Sequence, residues 1–134
     1  MPAQKLRNQP KASSAARSLT QTACTSSADA ASFLREAFDR RLEILHLHRT
    51  GNASDIHLAS EQLYSMLVCF DEKLLRETDR CIVHQLKSSC LGDLGRIPEA
   101  YLEAQAAFRL SNELRGATHR LTQTYKDLVQ RLAS

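Results

Sequence analysis

The sequence predicts an all-α fold, an antiparallel helical bundle of four or five helices, and three observations carry that prediction. The 134 residues include only four glycines, three prolines and no tryptophan, whereas Leu, Ala, Glu, Arg and Gln are plentiful. From Asp29 onward, apolar residues recur at spacings of three and four, the period of a helix with one buried face. The breaks between these stretches are short and carry Gly, Asn, Pro or Asp, so successive helices are expected to fold back on one another. A chain of this length supports one small core, and the expected division is a disordered basic Ser/Ala-rich tail over 1–28 and a single α-helical domain over 29–134.

The first helix is expected to begin near Asp29, with Ser27 or Asp29 as its cap, and to run for about 18 residues. Phe33 or Leu34, Ala37, Phe38, Leu42 and Leu45 form its predicted inner stripe. RTGNAS, 49–54, is a break, and Ser54 or Asp55 can cap a second helix running from Asp55 to Leu75. Its stripe is Ile56, Ala59, Leu63, Met66 or Leu67, Phe70 and Leu74. RETD, 76–79, is a polar connection to a third helix near 79–91, which carries Ile82, Val83, Leu86 and Cys90 on one side and ends at Gly92 and Gly95. Pro98 suits the first turn of a fourth helix, in which Ala100, Ala104 and Ala107 offer a small-residue face beside Tyr101 and Phe108. Gly116 ends it, and Leu121, Tyr125, Leu128, Val129 and Leu132 mark a fifth.

The formal charge of +3 is unevenly placed: Lys5, Arg7, Lys11 and Arg17 stand in the first 31 residues against Asp29 alone, so the remainder is formally neutral. The folded part thus lacks a basic footprint for nucleic acid, and the tail suits a solvated segment better than a transit peptide, because Pro2 and Pro10 interrupt any amphipathic helix. Cys24, Cys69, Cys81 and Cys90 show no C-x-x-C spacing, and three lie in helical patterns among apolar residues. They are expected to be reduced and mostly buried, which points to the cytoplasm. No apolar run approaches the ~18 residues of a membrane span.

Function turns on HQLKSSCLGDLGRIPEA, 84–100. At about 100° per residue, Ile82, Val83, Leu86 and Cys90 cluster on one side of the third helix while His84 and Ser88 fall on the other. That places His84 outward, as attack on a phosphoaspartate requires, with Lys87 one turn on to balance phosphate charge. The stretch VHQLKSS, 83–89, resembles the active-site segment of the histidine-containing phosphotransfer family, which implies His84 as the phosphorylated residue and Lys87 as its charge partner. The family has glycine where this chain has Ser88 and again where it has Leu94.

From Cys81 to about residue 114 the chain also resembles one tetratricopeptide-like unit, with a turn at Gly95 and Ala100, Ala104 and Ala107 as the small residues of the second helix. No second copy at a period of about 34 residues accompanies it. A longer resemblance covers about 80 residues: SFLREAFDRRLEILHLHRTGN, HLASEQLYSML and CLGDLGRIPEAYLEAQAAFRLSNEL, in that order, are similar to the N-terminal region of the forty-kilodalton huntingtin-associated protein (factor VIII intron-encoded protein) family. Phe33, Leu34, Asn52, Ala59, Ser60, Glu61, Gln62, Cys90, Glu99, Ala100, Ala106, Ala107 and Glu113 carry it. The resemblance implies a tetratricopeptide-like scaffold that binds huntingtin, a large helical-repeat protein, and links it to endosomal Rab machinery. Family members are much longer than this chain.

Other groupings carry less. His46 and His48 are two apart and point to different sides of a helix, so with His57 and Cys69 they suggest no metal site. Glu36, Asp39, Glu43, Asp71 and Glu72 alternate with Arg35, Arg40, Arg41 and Lys73, a mixed solvated face. No phosphate-cradling glycine loop and no nucleophile elbow is present. The sequence thus favours a non-enzymatic adaptor without a cofactor, whose candidate partner contacts are Leu91, Tyr101, Ala104 and Phe108. Phosphotransfer through His84 and Lys87 is the alternative.

Overall fold

The computed structural model describes residues 27–134, so the expected tail, its basic residues and Cys24 fall almost wholly outside the described residues. Among those described, five α-helices and one 3-10 turn follow one another: α1 Ser27–Thr50, α2 Ala53–Cys69, the turn Glu72–Leu74, α3 Glu77–Asp93, α4 Ile97–Arg115 and α5 Arg120–Ala133. Each helix packs on the next, α3 with α4 most extensively, and the all-α bundle predicted from composition and spacing is the fold observed.

α1 is longer than expected, 24 residues, and buries Ala30, Phe33, Ala37 and Ile44. The predicted inner stripe is corrected here, because Phe38, Leu42 and Leu45 are 43%, 62% and 38% exposed. α1 carries two apolar stripes about 120° apart, and burial selects the one on which Phe33 can stack against Phe70, with ring centroids 3.9 Å apart. The helix stops at Gly51, whose N–H donates to the Leu47 carbonyl at 2.6 Å. A Cβ there would sit 2.8 Å from a Leu47 methyl and 3.0 Å from the Leu47 carbonyl oxygen, so a larger residue would require the Leu47 side chain to shift.

The cap of α2 is Asn52, not Ser54 or Asp55: its side-chain oxygen accepts from the Asp55 N–H at 2.9 Å. α2 does not run to Leu75. It ends at Cys69, Phe70 turns extended to fill the core, and Asp71 caps the 3-10 turn by accepting from the Lys73 N–H. The connection 76–79 is likewise shorter than predicted, since α3 already begins at Glu77. α3 ends in a Schellman motif, in which Gly95 at φ +79° lets the Arg96 N–H reach the Leu91 carbonyl at 2.8 Å and its own N–H reach Gly92 at 3.0 Å. Pro98 stands in the first turn of α4, as its missing N–H allows. His119 caps α5 by accepting at Nδ1 from the Leu121 N–H.

Two small cores share α3. One gathers Phe33, Ala37 and Ile44 of α1, Leu63 and Leu67 of α2, Phe70, Leu75, and Val83, Leu86 and Cys90 of α3. The other joins Cys81 of α3 to Ala107 of α4 and Tyr125 of α5. α3 is therefore covered on two sides, which the single predicted stripe did not anticipate. No helix among the described residues is long and apolar enough to cross a membrane.

Candidate functional site

The residues singled out from the sequence converge on the seam between α3 and α4. Small side chains make that seam narrow: Ala100, Ala104, Ala107 and Ser111 of α4 are all fully buried. Ser88 lies in it with 1% exposure, and its hydroxyl donates to the Ala100 carbonyl at 2.8 Å. The expectation that His84 and Ser88 share a solvated face is therefore corrected. α4 occupies that side of α3, because the Ala-rich face needs a partner at close range.

His84 is turned into the same seam, with its side chain one-fifth exposed. Its Nδ1 lies 2.7 Å from Glu103 of α4, and its Nε2 lies 3.6 Å from Glu72 of the 3-10 turn. Burial pushes the Glu103 carboxyl up, but the His84 hydrogen bond and the charges of Lys87 and His84 outweigh it and hold the group below the usual carboxylate range. Lys87 thus acts on the same carboxylate that His84 bonds. A phosphoryl group on either ring nitrogen would also meet a carboxylate.

The candidate partner contacts divide. Leu91 and Ala104 are interior, at 1% and 0% exposure, and offer nothing to a partner. Tyr101 and Phe108 are half-buried: the Tyr101 hydroxyl accepts from Gln105 at 3.0 Å, and Phe108 packs on the Cys81, Ala107 and Tyr125 core. The surface the sequence reading missed is the outer stripe of α1, Phe38, Leu42 and Leu45. Its signal was present, since two apolar stripes on one helix mean that one must face outward.

Two polar nodes tie the helices together. Asp93, at the end of α3, accepts from Arg41 of α1 at 2.8 Å, contacts His48 of α1 at 3.1 Å and meets the fully buried Ser60 of α2 at 3.5 Å. In the second core, Arg115 donates to Ser111 at 3.0 Å, Ser111 bonds Thr122 at 2.8 Å, and the same guanidinium reaches Cys81 Sγ at 3.9 Å. Burial pushes the Cys81 thiol up against the pull of Arg115, and pushes Cys90 up to about 12, so both thiols stay protonated. Cys81 and Cys90 are buried, in line with the expectation that the helical cysteines are mostly buried, and Cys69 is the exposed exception. Among the described residues no group of three His, Cys, Asp or Glu side chains could hold a metal ion. No protein-family model, curated protein or solved structure matches the chain.

Proposed function

We propose that this chain is a non-enzymatic protein–protein interaction adaptor of the cytoplasm, a huntingtin-associated-like helical scaffold that docks on a larger helical-repeat protein. Huntingtin is the partner that the sequence resemblance names, and a link to endosomal Rab machinery belongs to the same proposal. The observation that supports docking is the outer face of α1, where Phe38, Leu42 and Leu45 stand exposed at spacings of four and three. Arg35 and Arg49 lie beyond the two ends of that stripe, roughly 20 Å apart along the axis. A continuous apolar stripe with basic ends suits insertion between two helices of a partner that carries acidic groups at the rim, with a few buried anchors supplying most of the affinity.

Direct binding of the purified chain to purified huntingtin tests this, with Leu42→Arg and His84→Gln alongside. Leu42→Arg is expected to weaken binding by at least about tenfold without loss of helical content, and His84→Gln to leave it unchanged. No binding by the wild-type chain, or binding indifferent to Leu42→Arg, would sink the proposal. The phosphorelay alternative makes the opposite demand: phosphoryl transfer from a receiver domain, lost in His84→Gln and intact in Leu42→Arg.

A further inference from the structure

His84 stands between two carboxylates that belong to different elements. Glu103 on α4 lies 2.7 Å from Nδ1, and Glu72 in the turn between α2 and α3 lies 3.6 Å from Nε2. A neutral imidazole carries one N–H, and the contact at 2.7 Å is a hydrogen bond to a carboxylate, which can only accept. In the neutral ring the proton therefore sits on Nδ1, and Nε2 presents a lone pair to the Glu72 carboxylate. Protonation gives Nε2 its own N–H and the ring a full positive charge, so Glu72 is drawn in.

We propose that His84 is a proton-operated latch, which in its doubly protonated form fastens the Glu72–Leu74 turn to the seam between α3 and α4 and in its neutral form lets that turn loosen. Two cations of α3 act on the same two residues, Glu103 and Glu72. Lys87 lies near Glu103 and offsets part of that carboxylate's pull. Arg80 donates from Nε to the Glu72 backbone carbonyl at 3.0 Å, which holds the turn in register in both states. The latch therefore changes how tightly the turn is held, not where it lies.

The turn is held at its far end, where the partly buried Leu74 packs against the first core between Phe70 and Leu75. Its near end is the exposed Glu72, whose side chain meets His84 and whose backbone carbonyl accepts from Arg80, so the latch acts on that end. The remaining histidine–carboxylate pairs lack the same leverage. His48 meets Asp93, whose charge Arg41 already answers at 2.8 Å. His57 and Glu61 are four residues apart on α2 and join no separate elements. Among the described ion pairs, His84 alone joins the corner between α2 and α3 to α4, so its charge bears on how firmly that corner is held.

Amide hydrogen exchange in the full chain tests the latch, with the turn followed at about pH 5.5 and about pH 7.5 and rates corrected for the intrinsic effect of pH. Protection of the amides from Glu72 to Leu75 is expected to rise by roughly two- to fivefold at the lower pH, relative to the amides of the middle of α4 around the fully buried Ala107, the range a partly exposed ion pair supports. Glu72→Gln keeps the Glu103 hydrogen bond and all the core contacts, so its fold persists. In that variant the turn-specific rise is expected to vanish. A rise that survives Glu72→Gln, or no turn-specific rise in the wild-type chain, overturns the proposal.

Discussion

Ala104→Leu separates an interior seam from a docking groove. Ala104 is fully buried, and Ala100 and Ala107, one turn away on either side, are fully buried too. Three extra carbons would gain about 0.8 kcal/mol each if they moved from water into empty apolar space. The seam has none to offer, because Ser88 on the facing helix already hydrogen-bonds the α4 backbone at 2.8 Å. The added side chain must push α3 and α4 apart, and overpacking of this kind costs about 2–3 kcal/mol at a site with little room to relax. For a domain of about a hundred residues, whose total stability is roughly 5–15 kcal/mol, that is a fall of about 8–20 °C in Tm. Thermal and urea denaturation followed by circular dichroism measure it, with Leu102→Ala as reference, because Leu102 is 62% exposed on the same helix. Leu102→Ala should change stability by less than about 0.5 kcal/mol. If Ala104→Leu were equally mild, the seam would be open and the interior placement of Ala104 mistaken.

Asn52→Ala should cost about 1 kcal/mol, read by urea denaturation, because it leaves the Asp55 N–H at the start of α2 without its acceptor. The carboxyl of Glu103 is held below its usual range in the folded chain by His84 and Lys87 despite burial, so its contribution is fully present above the unfolded value of about 4.3 and is lost as pH falls through the lower folded value. The stability gap between wild type and Glu103→Gln should accordingly shrink between about pH 5 and about pH 2, and a gap that widens over that interval would contradict the geometry. Among the three described cysteines, native-state alkylation resolved by peptide should label Cys69 before the others, because Cys81 and Cys90 are fully buried and Cys90 is pushed up to about 12; equal labelling of these three would refute the burial.

The sequence by itself determined the helical class, the approximate breaks and much of the inner surface. Helical spacing and end signals are local, so Leu63, Val83, Leu86 and Cys90 could be placed inside, and Gly95, Pro98 and Gly116 at helix ends, without knowledge of the neighbours. Local chemistry offered Ser54 or Asp55 as the cap of α2, and the backbone geometry gives that role to Asn52 instead. The tertiary structure alone decided which of two apolar stripes on α1 turns inward. Both satisfy helical periodicity, and the choice depends on Phe33 meeting Phe70, 37 residues later in the chain. It likewise decided that α3 is covered on two sides. The period shows that Ser88 and His84 share a face, but whether water or α4 covers that face depends on which small residues lie opposite. The placement of His84 between Glu72 and Glu103 has the same origin: a carboxylate 12 residues before it and another 19 after it meet the ring only because the turn and α4 converge on α3.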